Sequence, residues 1–169
     1  MALPRKLKSM NIFANGLSYI GQATSVTLPK LTRKMEDFRG AGMNAPIKVD
    51  MGMEGLVLEF STGGVMVDAL GQLGSPRHDA TLLRFAGAYQ RDDTGDVDAV
   101  EVTVSGRYSE IDMGDAKPGD DTEHKFKCEV STYTLTINGV EKVFIDIANM
   151  IERFDGIDRL AEQRAAIGA

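Results

Sequence analysis

Val100-Glu101-Val102-Thr103-Val104-Ser105-Gly106-Arg107-Tyr108 decides the fold class. Its even positions carry Val, Val, Val, Gly and Tyr, and its odd positions carry Glu, Thr, Ser and Arg. Apolar residues at every second position mark a strand with one buried and one wet face. Upstream, Thr81 to Arg91 (TLLRFAGAYQR) alternates in the same way, with Leu83, Phe85 and Tyr89 on one face. Asp92 to Asp96 (DDTGD) supplies a turn, with Gly95 free to adopt a left-handed conformation. The two stretches read as an antiparallel hairpin.

A second hairpin follows. Phe126, Cys128 and Val130 share one phase, and Tyr133, Leu135 and Ile137 share the other. The slip at Ser131 and Thr132 predicts a bulge, because one inserted residue exchanges the two faces. Asn138-Gly139 is the residue pair that two-residue hairpin turns favour, and Val143, Ile145 and Ile147 form the return strand. Shorter strands are expected at Thr24–Leu28 and Leu56–Ser61. Two helices complete the inventory. One is short, at Gly64–Gly71. The other is terminal, at 156–167, with Asp155 as cap and Gly168 beyond its end. These elements predict an antiparallel β-sandwich or barrel with one or two helices covering an open edge.

With 169 residues and 43% apolar content, the chain suits a single domain, 1–169, with a sizeable core. No apolar run approaches the ~20 residues of a membrane span, so membrane insertion of the monomer is not expected. Met1–Met10 has three basic residues and no apolar stretch of the kind a secretory signal needs. The lone cysteine, Cys128, has no partner for an internal disulfide, which suits synthesis in a cytoplasm.

Charge is divided along the chain. Residues 1–48 hold eight basic and two acidic side chains, while Asp92–Glu123 holds eleven acids against Arg107 and Lys117. One end of the chain is therefore suited to attract the other end of a neighbouring copy. Pro29–Pro46 (PKLTRKMEDFRGAGMNAP) has no sustained period and reads as a long loop, a kind of segment that is usually functional when it is ordered. Its Leu31, Met35, Phe38 and Met43 are hard to place on a solvated loop, and packing against another subunit would satisfy them.

Catalytic templates fit poorly. Gly40-Ala41-Gly42-Met43-Asn44-Ala45 matches a dinucleotide pattern only formally, because it lacks the strand and helix that the fingerprint needs. His78 and His124 have no second ligand at metal-binding spacing and read as surface residues. Cys128, in phase with Phe126 and Val130, reads as a small core residue. The acidic turns lack calcium-loop spacing. No cofactor, no metal and no catalytic residue is expected. A hydrolase would have to use paired acids such as Asp112, Asp115 and Asp121.

Five segments carry a resemblance: Met1–Lys8 (MALPRKLK), Val26–Gly42 (VTLPKLTRKMEDFRGAG), Leu83–Gly95 (LRFAGAYQRDDTG), Gly106–Gly114 (GRYSEIDMG) and Gly156–Gly168 (GIDRLAEQRAAIG). Together they resemble the major tail tube protein of contractile-tailed phages and the tube protein of R-type bacteriocins. Met53–Asp79 departs most from that pattern. The resemblance implies a tail-tube-like β fold, and hexameric rings with a continuous lumenal β-barrel that stack into a hollow tube. It implies partners too: further copies of the chain, a sheath protein, baseplate and tail terminator proteins, and phage DNA that passes without specific contact. It places the protein in a virion tail or bacteriocin particle, made and assembled in the bacterial cytoplasm.

On this basis the expected subunit interface comprises Arg5, Lys6, Lys8, Leu31, Arg33, Lys34, Met35, Phe38, Arg39 and Met43. The expected acidic counterpart, or lumenal lining, comprises Asp92, Asp93, Asp112, Asp115, Asp120 and Asp121. The competing reading is a monomeric β-barrel that binds a small ligand in an interior cavity.

Overall fold

A computed structural model describes residues 1–169. The chain begins with β1 (Lys6–Ala14), β2 (Leu17–Ser18) and β3 (Ala23–Thr27), then β4 (Arg33–Phe38), β5 (Ile47–Met53) and β6 (Leu56–Thr62). A single helical turn, α1 (Val67–Leu70), precedes β7 (Thr81–Gln90), β8 (Val97–Asp112), β9 (His124–Ile137) and β10 (Val140–Asp146). The chain ends with β11 (Ile151–Phe154), β12 (Ile157–Asp158) and α2 (Ala161–Ile167).

Every strand pairing is antiparallel, and the main sheet runs β12-β11-β10-β9-β8-β7-β1-β2. Strand β9 divides between two neighbours. Its first half, from His124 to Val130, pairs with β6, and its second half, from Thr132, pairs with β10. The switch falls at the expected bulge, where Ser105 faces Thr132 but Gly106 faces Val130, leaving Ser131 as the extra residue. Because β6 also pairs with β3, and β3 lies beside β1, the strands β1, β7, β8, β9, β6 and β3 curl around one core.

The predicted faces hold for β7, β8 and β9, but the return strand β10 ends at Asp146, leaving the expected Ile147 beyond it and 51% exposed. Val102, Val104 and Tyr108 of β8 and Leu83 and Phe85 of β7 point inward and are at most 3% exposed. Cys128 is fully buried, as expected. Phe60 and Phe126 stack with ring centroids 4.9 Å apart, and Tyr19 and Tyr108 tilt against Phe60. Each such aromatic pair contributes about 0.5–1.5 kcal/mol beyond its area burial. These rings belong to the core cluster that the strands enclose. At Gly106 a Cβ would lie 2.0 Å from the Glu129 carbonyl oxygen, so the close approach of β8 to β9 at the bulge requires glycine.

Several expectations are corrected. The segment 29–46 is not a loop throughout, because Arg33–Phe38 pairs with Ile47–Met53 as a separate two-stranded ribbon. Its period was hidden because both ribbon faces are largely exposed, so no buried face imposes an apolar alternation. The terminal helix starts at Ala161 rather than 156, and Asp155 does not cap it. Asp155 and Gly156 both have positive φ, 49° and 80°, and turn the chain so that Phe154 faces Ile157 across β11 and β12. Asp158 instead accepts the Leu160 N–H and pairs with Arg164. The Gly64–Gly71 helix shrinks to one turn that buries Ala69. The terminal helix is not a covering element, since α2 buries none of its residues. His124 is not on the surface: it begins β9 in phase with Phe126 and is 4% exposed. His78 is exposed, as expected.

Candidate assembly interface

The β4–β5 ribbon is the most unusual surface of the molecule. Register places Phe38 opposite Ile47 and Glu36 opposite Val49. Phe38, Ile47 and Val49 therefore share one face, and they are 56%, 55% and 38% exposed. Met35, Asp37, Lys48 and Asp50 occupy the reverse face, where Lys48 pairs with Asp37 at 2.6 Å. The aromatic and β-branched residues suit a strand, but no part of the same subunit covers them. Leu31, just before the ribbon, is 40% exposed. At the tip Arg39 donates to the Met43 carbonyl, and Met43 folds its thioether back toward the Gly40 N–H. Lys34 lies 3.7 Å from Glu36.

At its root the arm is held by Arg33. The guanidinium Nε donates to Asp50 on the facing strand at 2.8 Å, and Nη1 donates to Glu152 of β11. The Glu152 side chain is only 8% exposed. Charged hydrogen bonds to a shielded carboxylate are among the stronger polar contacts a fold can make. The Arg33 hydrogen bond, helped by the Gly52 N–H, holds the Asp50 carboxyl below its ordinary value.

The remaining predicted bases sit at the start of the chain. Lys6 opens β1 opposite Gln90 and is exposed. Arg5 pairs with Asp98, and Lys8 pairs with Asp92 at 2.9 Å. Asp93 accepts the Leu3 N–H at 3.1 Å and also pairs with Arg91 at 2.9 Å. The Leu3 hydrogen bond and then Arg91 hold the Asp93 carboxyl below its ordinary value. The first basic segment thus meets the first acidic turn within its own subunit. Sequence alone could show the complementarity but not that both halves lie at the same end of β1, β7 and β8.

The other acids lie elsewhere. Asp112 ends β8, and Asp115, Asp120 and Asp121 follow beyond it, all four exposed. The strand between them and Asp92 and Asp93 has a contour length of about 50 Å, at roughly 3.3 Å per residue. Asp112 accepts the Gly114 N–H, Asp121 accepts the Thr122 N–H, and Asp120 lies 3.7 Å from Lys117. The two acidic groups therefore do not form one surface.

Between them runs the wet face of the main sheet, which sequence reasoning identified only for β8. One row crosses five strands in register: Phe13, Arg84, Thr103, Thr134 and Phe144. Arg84 lies over the Phe13 ring at 4.1 Å and pairs with Glu101 at 3.1 Å. Arg153 lies over Phe144 at 4.7 Å and pairs with Glu141 at 2.8 Å. Hydroxyls and locally balanced charge make this a broad, hydrated face.

This fold is similar to that of chains from contractile injection systems. A chain of the sheath/tube terminator of the extracellular contractile injection system PVC aligns with a TM-score of 0.60 at 8% identity, covering 79% of this chain and 96% of that one. A chain of the PVC sheath–tube complex gives 0.58 at 10% identity, covering 79% and 91%, and a chain of the tube-terminating cap of the anti-feeding prophage gives 0.55 at 11%, covering 75% and 87%. Residues 4–168 match the family model described as Phage tail tube protein FII. The chain is 52% identical over 171 residues to the tail tube protein of Escherichia phage P2, covering 99% of each sequence. It is 39% identical over 158 residues to the major tail tube protein of Serratia phage KSP20, covering 92% and 91%. The chain belongs to the phage tail tube protein FII family, and its role is that of a structural tube component in a contractile phage tail. No helix is long and apolar enough to cross a membrane.

Proposed function

We propose that residues 1–169 act as one subunit of a hexameric ring, and that rings stack into the hollow inner tube of a contractile tail. The observation that carries this is the arm, whose Phe38, Ile47 and Val49 expose an apolar face that the subunit itself leaves uncovered. Burying such a face against another copy contributes roughly 25 cal/mol per Å² of apolar area removed from water. A ring joins one surface of a subunit to a different surface of the next, which a projecting arm serves well. Leu31, Met35, Phe38 and Met43 supply the apolar contacts, with Arg33, Lys34 and Arg39 on the same arm, while Arg5, Lys6 and Lys8 at the start of β1 form a separate basic edge. The wet face of β7 to β10 lines the channel, with Asp112, Asp115, Asp120 and Asp121 at one rim, while Asp92 and Asp93 at the other are matched by Lys8 and Arg91. The acidic rim repels phosphate and lets DNA pass without adhering.

A sheath protein surrounds this tube, and baseplate and terminator proteins close its ends. The role is structural throughout, with no catalytic step. Electron microscopy of the purified chain tests the reading: ring- or tube-shaped particles are expected from wild type. Phe38→Asp and Leu31→Asp should yield folded single subunits. Wild-type protein that stays monomeric at every concentration would overturn it.

A further inference from the structure

Beside the root of the arm lies a groove of about 290 Å³. Its floor is formed by Met53, Ile147, Met150, Ile151 and Leu160, and Ile147 is 51% exposed. Glu54 and Asp146 supply the charge, Glu152 being matched by Arg33 of its own subunit, and no basic side chain lines the groove. We infer that this groove receives the outer end of the arm of a neighbouring copy, with Phe38 against Ile147 and Arg39 toward the acidic rim. The inference rests on the proposed ring assembly and names the acceptor surface that assembly uses.

Three observations support that occupant. The outer end of the arm, Phe38 to Ile47, carries Arg39 and no acid, so its charge complements the groove, while Lys48 is matched by Asp37 on the reverse face. Its apolar face matches the groove floor in character and has no partner in its own subunit. Its own copy cannot fill the groove. Strand β5 runs extended from Ile47 to Met53, and at roughly 3.3 Å per residue this puts the tip about 20 Å from the groove at the root. Glu152 connects the two halves of the contact, since it both lines the groove and holds Arg33 of its own arm. Donor and acceptor surfaces are therefore set at a fixed relation on each subunit, as a repeating heterologous contact requires.

The test mixes two single variants, Phe38→Cys and Ile147→Cys, in equal amounts and oxidises the assembled tubes. Both positions are more than half exposed, so both variants should fold, and native Cys128 is fully buried and out of reach. Cross-linking needs Cα atoms within about 7 Å. A covalent pair at twice 18.3 kDa is expected from the mixture and at most a trace from either variant alone. Ile147→Glu should fold and raise the concentration needed for assembly at least tenfold. Tubes that form without the mixed cross-link, or an Ile147→Cys thiol that stays open to a water-soluble maleimide in the tube, would overturn the inference and leave the tube reading intact. So would Ile147→Glu that assembles like wild type. Absence of rings and tubes from wild type would instead sink the reading beneath it.

Discussion

Arg33 Nη1 donates to both carboxylate oxygens of Glu152, at 2.8 and 2.9 Å, across a sequence separation of 119. This contact ties the arm to the main sheet. Removing the guanidinium leaves a shielded carboxylate without its cation, which costs about 1.5–3 kcal/mol. Arg33→Ala should lower the urea midpoint of dilute, unassembled protein accordingly. Arg33→Lys should recover only part of the loss, because an ammonium cannot span Asp50 and Glu152 as a guanidinium does. Equal stability of all three proteins would show that the contact is incidental.

Gly106 marks the second sensitive point. A methyl group there meets the Glu129 carbonyl oxygen at 2.0 Å, and the neighbour is backbone that cannot turn aside. Gly106→Ala should destabilise by more than about 3 kcal/mol, or leave no soluble folded protein. Gly71→Ala, where a Cβ meets nothing within 4 Å, should change stability by less than about 0.5 kcal/mol. Thermal unfolding of the two variants side by side checks the contrast.

The start of the chain should respond to acid. Asp93 titrates below its ordinary value of 3.8 because the Leu3 N–H and then Arg91 stabilise its charged form. A folded-state pKa below the unfolded one means that the contact stabilises at neutral pH. Its contribution is lost as pH falls through the folded value. The Leu3 amide resonance should therefore move with the Asp93 carboxyl titration, with a midpoint below 3.8. In Asp93→Asn that amide should show no such step; an unchanged step would assign it to another group.

Cys128 should be chemically silent. Burial pushes its thiol up to about 12, so almost no thiolate exists at pH 8. Iodoacetamide should modify the folded protein roughly a thousandfold more slowly than the urea-unfolded chain. Rapid labelling in the folded state would mean that the β6–β9 region opens.

The strands that wrap the core were legible because burial imposes its period on the residues. Leu83, Phe85, Val102, Val104, Phe126 and Cys128 alternate since each second side chain must leave water. The same reasoning could have found β1, where Met10, Ile12 and Ala14 alternate behind Lys6 and Lys8. It could also have placed His124 inside, in phase with Phe126. The Asp155-Gly156 hairpin carried the same kind of signal as Asn138-Gly139, but the charged helix after it drew the boundary too early. The ribbon β4–β5 lay beyond such reasoning, because neither of its faces is buried in the subunit.

The candidate interface divides in the same way. Leu31, Met35 and Phe38 stood out as apolar residues with no evident cover, and the opposition of basic start and acidic middle was plain from the charge count. The pairing itself was not, because Arg5 meets Asp98, and Lys8 meets Asp92, only once β1 lies beside β7.

Sequence alone determined the mainly β architecture, the bulge at Ser131, the buried thiol and the family, because these follow from local alternation, turn chemistry and contiguous matching segments. Tertiary structure decided that the first bases are matched within the subunit, that residues 33–53 stand out as an arm, and that an acidic apolar groove opens at its root. Those features depend on which distant strands become neighbours, and strand pairing is set by the collective burial of one core rather than by any single stretch of chain.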